Sequence, residues 1–517
     1  MSLSRSTKRT RFIVLLILLA LFDCSCTTWK VQTNAPSAVV SGKNARQVRL
    51  GFADHSKAIV YGPAIDGSNL VGWKTSDQKG PRNAVYPLTD IQSIEVRGIS
   101  AGRSIALVAG IGVGVTIIAV AVLAAGMSSP TSTSQSGSFS CPFVYTYTDQ
   151  GWRLDSGTFG GAIMRPLVRT DVDNLDFARP RDGVLRLKVA NELDETDYLD
   201  AIEVLAIDHE LGTTVGPSPQ GSIHALGPMA APMHARDFEG RDVLASVRAS
   251  DGRNWESRLA ARDPAVAESL RDGIELEFAM PANGTSARLV VDAQNTPWSS
   301  FLLQQFIQAH GTGTADWYAS LEAEPEQARQ LQALFAREAF LHVSVWTGRG
   351  WDDRGVLWEV GPEIGKRQLV PLDLAGVSGE TLRVRLDAPA SFWLVDFVGL
   401  DCGNERGFST RSLAMQSAID RKGRNLREVL VSADGREERL ERGDSIEVRF
   451  GAPPLIPGQA RSYILRSTGW YKIHAPEEGP PDLSLLSSVS VPGGIARISA
   501  VRMNAALERL SIETGVK

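Results

Sequence analysis

The stretch GVLRLKVANELDETDYLDAIEVLAID, residues 183–208, indicates the fold class most directly. Apolar and polar residues alternate in its first part, and a more apolar run, AIEVLAID, follows a short acidic connection. A period of two residues is typical of β-strands. The stretch ETLRVRLDAPASFWLVDFVGLDCG, residues 380–403, repeats this order, with Asp396 and Asp401 where the first has Asp200 and Asp208. The chain therefore contains two related pairs of strands.

This pattern resembles the paired strands of galactose-binding-type jelly rolls, and the resemblance implies antiparallel β-sandwiches. Two sandwiches, or two halves of one, are the alternatives. Between the two stretches the spacing becomes helical, with Pro325 suited to a helix first turn and Leu331, Leu334 and Phe335 on one stripe. We expect a mainly β fold with a short helical insert.

Turn-rich alternating sequence also lies near the N-terminus, where four or five strands are expected. At the C-terminus, an amphipathic helix is expected to bury Ile498, Val501, Ala505 and Leu510. The expected organisation is a signal peptide (1–26), a small β module (27–103), a transmembrane-length apolar helix (104–127), a linker (128–139), a β-sandwich domain (140–296), a helical insert (297–342), a second β-sandwich half or domain (343–403), and a C-terminal β unit with a helix (404–517).

The N-terminus indicates export. Basic residues precede FIVLLILLALF, residues 12–22, which has the length of a signal-peptide apolar region. The following FDCSCTTW resembles the end of a bacterial lipoprotein signal, and this resemblance implies cleavage before an acylated cysteine. Cys26 is the expected site, Cys24 is the alternative, and cleavage without acylation is the third outcome. We expect a membrane-anchored protein of the bacterial cell envelope.

A second apolar run, residues 105–127, is long enough to span a bilayer as a helix. Gly110 and Gly114 form a small-x-x-x-small pair, which predicts helix association in lipid or simple tolerance of glycine. The spacing G-x-G-x-G does not match a dinucleotide loop. Because basic residues precede the run and are scarce after it, we expect the C-terminal region on the extracytoplasmic side of the membrane. A cleaved signal peptide followed by a single plain span would instead place this region in the cytoplasm.

The composition restricts the partners. A net charge of -5 over 517 residues, without a domain-sized basic face, excludes nucleic acid as the main partner. A membrane, and envelope proteins or glycans, are the expected partners. Beyond the N-terminal pair, the cysteines are Cys141 and Cys402, and the sequence leaves open whether they form a disulfide.

No motif for chemistry is present: the chain lacks a nucleophile elbow, H-E-x-x-H, a phosphate loop and paired C-x-x-C. We therefore expect no cofactor and favour a protein that is not an enzyme. Whether a metal binds stays open, because acidic groups could hold Ca²⁺ or could be solvated loops. These groups are Glu192, Asp194, Glu195, Asp197 and Asp200, and Asp171, Asp173 and Asp176.

Aromatic residues are concentrated in WTGRGWDDRGVLW, residues 346–358. Trp346, Trp351 and Trp358 could stack on sugar rings, or could simply pack in the core or in turns. This stretch motivates a carbohydrate-binding or carbohydrate-active function as the alternative to a scaffold.

The segments SCPFVYTY, from residue 140, and NELDETDYLD, from residue 191, resemble a family of uncharacterised bacterial envelope proteins. The family has no assigned reaction, so the resemblance implies no catalytic residues. We expect a membrane-anchored envelope lipoprotein that acts as a non-enzymatic scaffold or protein-interaction module.

Overall fold

A computed structural model describes residues 27–32, 47–52, 57–66, 69–87, 91–99, 142–282 and 285–514. The expected lipidation site Cys26 and the apolar run with Gly110 and Gly114 lie outside these residues. No helix in the described ranges is long and apolar enough to cross a membrane. The chain divides into two compact units, one comprising residues 1–115 and 150–152 and the other residues 116–149 and 153–517.

The first unit contains one antiparallel sheet with the strand order β1-β6-β2-β3-β4-β5. It has six strands, one more than the largest number expected from the turn pattern. Its buried core includes Val48, Leu50, Val60 and Leu70. Val60 lies between more exposed neighbours on its strand, whereas Leu70 is followed by two further buried residues. The strands are β1 (Thr27–Gln32), β2 (Gln47–Phe52), β3 (Lys57–Asp66), β4 (Asn69–Trp73), β5 (Ala84–Pro87) and β6 (Ile91–Ile99).

The second unit is mainly β and also carries the longer helices. Its strands are β7 (Phe143–Thr148), β8 (Gly151–Gly157), β9 (Arg169–Asn174), β10 (Val184–Ala190), β11 (Glu195–Glu210), β12 (Thr214–Pro217), β13 (Ile223–Leu226), β14 (His234–Asp237), β15 (Trp255–Glu256), β16 (Arg271–Ala279), β17 (Ser286–Asn295), β18 (Leu341–Trp346), β19 (Trp351–Leu357), β20 (Lys366–Asp373), β21 (Thr381–Pro389), β22 (Trp393–Asp401), β23 (Phe408–Ser412), β24 (Ala414–Asp420), β25 (Glu438–Leu440), β26 (Ser445–Gly451) and β27 (Gln459–Ile473). The helices are α1 (Leu244–Val247), α2 (Ala267–Leu270), α3 (Pro297–Gln308), α4 (Thr314–Ala323), α5 (Pro325–Ala339), α6 (Arg427–Leu430), α7 (Leu483–Val489) and α8 (Gly494–Thr514).

Two sandwich-like pairs of sheets are built from these strands. The first pair has the orders β24-β26-β10-β7-β8 and β23-β11-β27-β9, and the second has β14-β16-β21-β18-β19 and β15-β22-β17-β20. In each pair the two strands of the repeated sequence, β10 with β11 and β21 with β22, belong to opposite sheets. The mainly β fold is therefore confirmed, and the repeat marks equivalent positions in two sandwiches.

The second sandwich is inserted into the first. Strands β23 to β27 follow it in sequence, but β26 pairs with β10, and β27 pairs with β11 along its length. The segment from residue 404, which the sequence predicts as a small β unit or as the closing strands of the preceding one, supplies strands of the first sandwich. Such pairing over more than 200 residues leaves no signal in local alternation.

The longer helices pack against one another and against the main core. Trp298 and Ile307 of α3 are fully buried, and the Trp298 indole N–H donates to the Ser499 hydroxyl of α8 at 2.9 Å. The expected stripe of Leu331, Leu334 and Phe335 on α5 packs, partly buried, against the main core. The predicted stripe thus faces the core, although the buried residues of α5 are Ala328 and Glu338.

The buried face of α8 differs from the expected one. Val501 is 51% exposed, and Ala505 is also exposed, whereas Ile498 is partly buried. Small residues take the inner positions, among them Ala496 and Ala500, because they allow the helix to lie close to its neighbours. The side chain of Leu510 lies outside the described part of the chain.

A candidate ligand site beneath the C-terminal helices

The loop that follows β8 fixes the position of one partly buried carboxyl group, that of Glu359. A Cβ atom on Gly160 would lie 2.5 Å from the Glu359 carbonyl oxygen. Gly161 has a φ of +79°, and a Cβ there would lie 2.7 Å from the Glu359 Oε2 atom. Two glycines are thus needed for this close approach. They bring the Glu359 side chain against the interior of the second unit.

The Glu359 carboxyl group has no hydrogen-bond donor among the described residues. Burial raises its pKa to about 7, and the Arg169 guanidinium opposes this rise only partly. The side chain keeps some exposed surface, and it lines two internal cavities. Glu359 is therefore a carboxyl group that protonates near neutral pH and faces empty space.

Arg169 belongs to a neighbouring network of charged side chains. Its Nε atom lies 2.7 Å from Asp171 Oδ1, and the Lys366 ammonium lies 3.5 Å from Asp171 and also pairs with Asp173. Burial alone would raise the pKa of Asp171, but Arg169 and Lys366 together lower it. Because Lys366 is on β20 and both carboxylates are on β9, the network joins the two sandwiches.

An apolar cavity lies between Glu359 and the C-terminal helices. The cavity has a volume of about 50 Å³. It is therefore narrow and holds a few waters at most. Its apolar lining comes from α3, α5, α7 and α8 and includes Leu303, Phe306, Phe335, Phe340, Val489 and Ile498.

A groove between α7 and α8 adjoins this cavity at the surface. The groove has a volume of about 410 Å³. Leu485, Ile498 and Arg502 line both the groove and the cavity. On the inner side, Leu303, Phe335 and Glu359 also line a smaller gap that reaches Arg169. The groove, the cavity and the smaller gap thus follow one another from the surface to the Glu359 carboxyl group.

Most polar groups in the cavity are bonded to the backbone. Asn295 Oδ1 accepts hydrogen bonds from the Val360 and Gly361 amides at 2.8 and 3.2 Å. The Ser299 hydroxyl donates to the Thr296 carbonyl oxygen at 2.9 Å. Arg502 forms no ion pair with a carboxylate of the described residues. Glu359 and Arg502 are therefore the charged groups left for a ligand.

The three tryptophans of the sequence prediction do not form one site. Trp346 and Trp351 lie directly opposite each other on β18 and β19, with ring centroids 5.5 Å apart. The guanidinium carbon of Arg385 lies 4.1 Å from the centre of the Trp351 ring, and that of Arg383 lies 5.3 Å from both rings. Trp358 packs elsewhere, near Phe340, with ring centroids 5.7 Å apart.

The acidic residues from Glu192 to Asp200 do not form one site either. Glu192 and Asp194 are exposed, whereas Glu195 and Asp197 are 3% and 0% exposed. The register shift in β11 between Leu199 and Ala201 keeps these two carboxyls on the core side of the sheet, so they are not part of a solvated loop. Burial and their mutual proximity raise the pKa of Glu195, and burial raises that of Asp197.

The other members of the acidic groups have separate roles. Asp200 accepts hydrogen bonds from the Asp434 and Gly435 amides at 3.2 and 3.0 Å. Asp176 is apart from the Arg169 network, and its amide donates to Asp155 at 2.9 Å. No group of three or more metal-ligating side chains occurs in the ranges that the structure describes.

Cys402 is a free, partly buried thiol, and Cys141 lies outside the described residues. Burial and the nearby Asp401 carboxylate raise the pKa of Cys402. It therefore has little thiolate character near neutral pH.

Sequence reasoning missed Glu359 and Arg502. Each is a single charged residue without a motif, in WEVGP and in the amphipathic C-terminal helix. The only signal was the pair Gly160 and Gly161, which indicated a close backbone approach without showing its partner.

A comparison of the chain with protein-family models, curated proteins and solved structures gives no match.

Proposed function

We propose that this chain is a non-enzymatic binding module of an envelope-anchored protein. The observation that carries the proposal is the narrow apolar cavity under α7 and α8. Its lining contains neither a histidine nor a cysteine, and its Ser299 hydroxyl donates to the backbone. One carboxyl and one guanidinium can orient a ligand, but they lack the paired nucleophile and base of covalent catalysis.

The anchoring part of the proposal is supported by the sequence. The basic N-terminus, the short apolar run and Cys26 are typical of an exported lipoprotein. Attached acyl chains would hold the binding unit near a membrane. A scaffold that presents its ligand, or its own surface, to another envelope protein agrees with this location.

The binding function is tested by identifying what the full chain retains. Small molecules extracted from the purified protein are compared by mass spectrometry with those from Leu303→Trp, which fills the cavity, and from Gln304→Trp, a control on the same helix. We expect a molecule that is lost only in the Leu303 variant and is recovered unchanged after incubation. Equal retention by all three proteins, or conversion of the molecule, would refute the proposal.

Anchoring has a separate test. Cells that express the full chain are labelled with a tagged fatty acid, and the protein is isolated. Cys26→Ser should lose the label and Cys24→Ser should keep it. Loss in the Cys24 variant alone would move the acylation site, and an unlabelled wild type would exclude acylation.

Carbohydrate binding is the second candidate, favoured by the adjacent Trp346 and Trp351. A sugar would have to displace Arg385 from the Trp351 ring or use another face. On a glycan array, Trp351→Ala should lose retention and Trp358→Ala should not. An array without any retained glycan would exclude this function.

A further inference from the structure

We infer that the groove and the cavity behind it together bind the chain of an anionic single-chain amphiphile, whose head group contacts Arg502 and Arg497. The inference rests on the proposed binding function and names the ligand class of the same site. Three features carry it: an unpaired guanidinium at the junction of groove and cavity, a narrow apolar interior, and apolar side chains exposed around the entrance.

Arg502 provides the specificity for an anion. It is partly buried, lines both the groove and the cavity, and has no carboxylate partner in the described part of the chain. Asp482 also lines the groove, but its carboxylate accepts a hydrogen bond from the Leu485 amide and caps α7. Desolvating a charge without a counter-ion is unfavourable, so a bound anion would stabilise this arrangement.

Arg497 is a second cation at the entrance. It is exposed and lines the same groove, and its Nε donates to the Pro264 carbonyl oxygen at 3.4 Å. Two guanidiniums beside one groove favour a carboxylate or a phosphate. At the inner end, Glu359 supplies no positive charge, so we expect the head group on the outer side, beside the two arginines.

The shape of the interior favours a chain over a ring. The cavity has a volume of only about 50 Å³, and the adjoining groove adds about 410 Å³. A sugar or a folded peptide needs greater width and more polar partners than Asn295 and Ser299 leave. A row of methylene groups needs little width and is stabilised when it leaves water and packs against Leu303, Phe306 and Phe335.

The entrance carries apolar side chains that water would otherwise solvate. Val491 and Val501 line the groove and are 49% and 51% exposed, and Leu483 at the start of α7 is 72% exposed. Large apolar side chains grouped around an opening indicate a binding surface. Such a rim lets a chain move from a membrane or a micelle into the groove without full hydration.

The inference is tested by photo-crosslinking to the full chain in membrane vesicles. A hexadecanoic acid derivative with a photoreactive group near its terminal methyl is one probe, and a lysophosphatidylglycerol with the same chain is the second, so that the two sources of the anion are distinguished. A monoacylglycerol with this chain is the neutral probe. Peptide mass spectrometry should place the label of at least one anionic probe on α3, α5 or α8.

Matched variants distinguish the loss of a charge at the site from a general effect on folding. Arg502→Gln should weaken the apparent affinity for the anionic probe about 10-fold or more, the effect of losing a hydrogen bond to a charged group. Arg509→Gln, an exposed position on the same helix, should bind normally, and Leu303→Trp should lose the label while keeping both arginines.

Equal labelling of the Arg502 and Arg509 variants, or equal labelling by the neutral probe, would overturn the inference. A different class of molecule retained by the wild type and lost in Leu303→Trp would overturn it too, but would leave the proposed binding function standing. Failure of both experiments would remove the binding function itself.

Discussion

Replacing Glu359 by Gln should remove a pH-dependent loss of stability. The folded-state pKa of about 7 lies above the ordinary 4.5, so the unfolded chain releases this proton at lower pH than the folded one. In the wild type, the free energy of unfolding therefore falls as pH rises from about 4.5 to about 7, and levels off above that. The total fall attributable to Glu359 is up to about 3 kcal/mol, at about 1.4 kcal/mol for each pH unit.

The Gln variant has no proton to release at this position. Its free energy of unfolding should exceed that of the wild type increasingly between about pH 4.5 and 7, and the difference should then stay constant. Comparing this difference between acidic and alkaline pH cancels any fixed effect of placing an amide beside the cavity.

Urea denaturation of the full chain, followed by tryptophan fluorescence at several pH values, measures the effect. Glu380→Gln is the control, because it makes the same charge change at an exposed position. The control should follow the wild type. If the Glu359 variant also follows the wild type at all pH values, Glu359 is not held in a poorly solvated site, and the reasoning is refuted.

Three further changes test the surrounding structure by the same unfolding assay. Gly160→Ala should destabilise the fold, because its Cβ would lie 2.5 Å from a carbonyl oxygen. Gly157→Ala is the control and should have a smaller effect, because its Cβ meets no atom closer than 3.8 Å; equal effects of the two variants would contradict the prediction. Arg461→Met should lower the free energy of unfolding by about 3–5 kcal/mol, because Asp208 is then buried without its partner. Adding Asp208→Asn to this variant should restore part of the lost stability, and no restoration would argue against a coupled pair. At a pH above neutral, Asp197→Asn should have a higher free energy of unfolding than the wild type, because the raised folded-state pKa of Asp197 makes the wild type lose stability as pH rises. A lower free energy of unfolding at that pH would show that the carboxylate has a cationic partner.

Alternation in the sequence was enough to predict the mainly β fold and its repeated strand pairs. The helical insert was equally clear, because its spacing changes from two residues to about three and a half, with Pro325 at the first turn of α5. Local periodicity failed for α8, where small residues on both faces made two orientations compatible with the sequence. Packing against α3, with the bond from Trp298 to Ser499, decides between them.

Non-local features could not be derived from the sequence. The return of β26 and β27 to the first sandwich depends on pairing across the inserted second one. The buried position of Asp197 depends on a register shift that moves the inward set of side chains by one residue. The candidate site combines Glu359 with Arg502, which are far apart in sequence and belong to no motif.

Hydrogen exchange of the full chain in membrane vesicles, with and without added hexadecanoate, tests the binding site most directly. If the cavity under the C-terminal helices takes the chain, the amides of α7 and of α8 around Arg502 should exchange more slowly with the ligand, while those of β18 and β19, which carry Trp346 and Trp351, should not change. Unchanged exchange in α7 and α8, or protection confined to β18 and β19, would contradict the account.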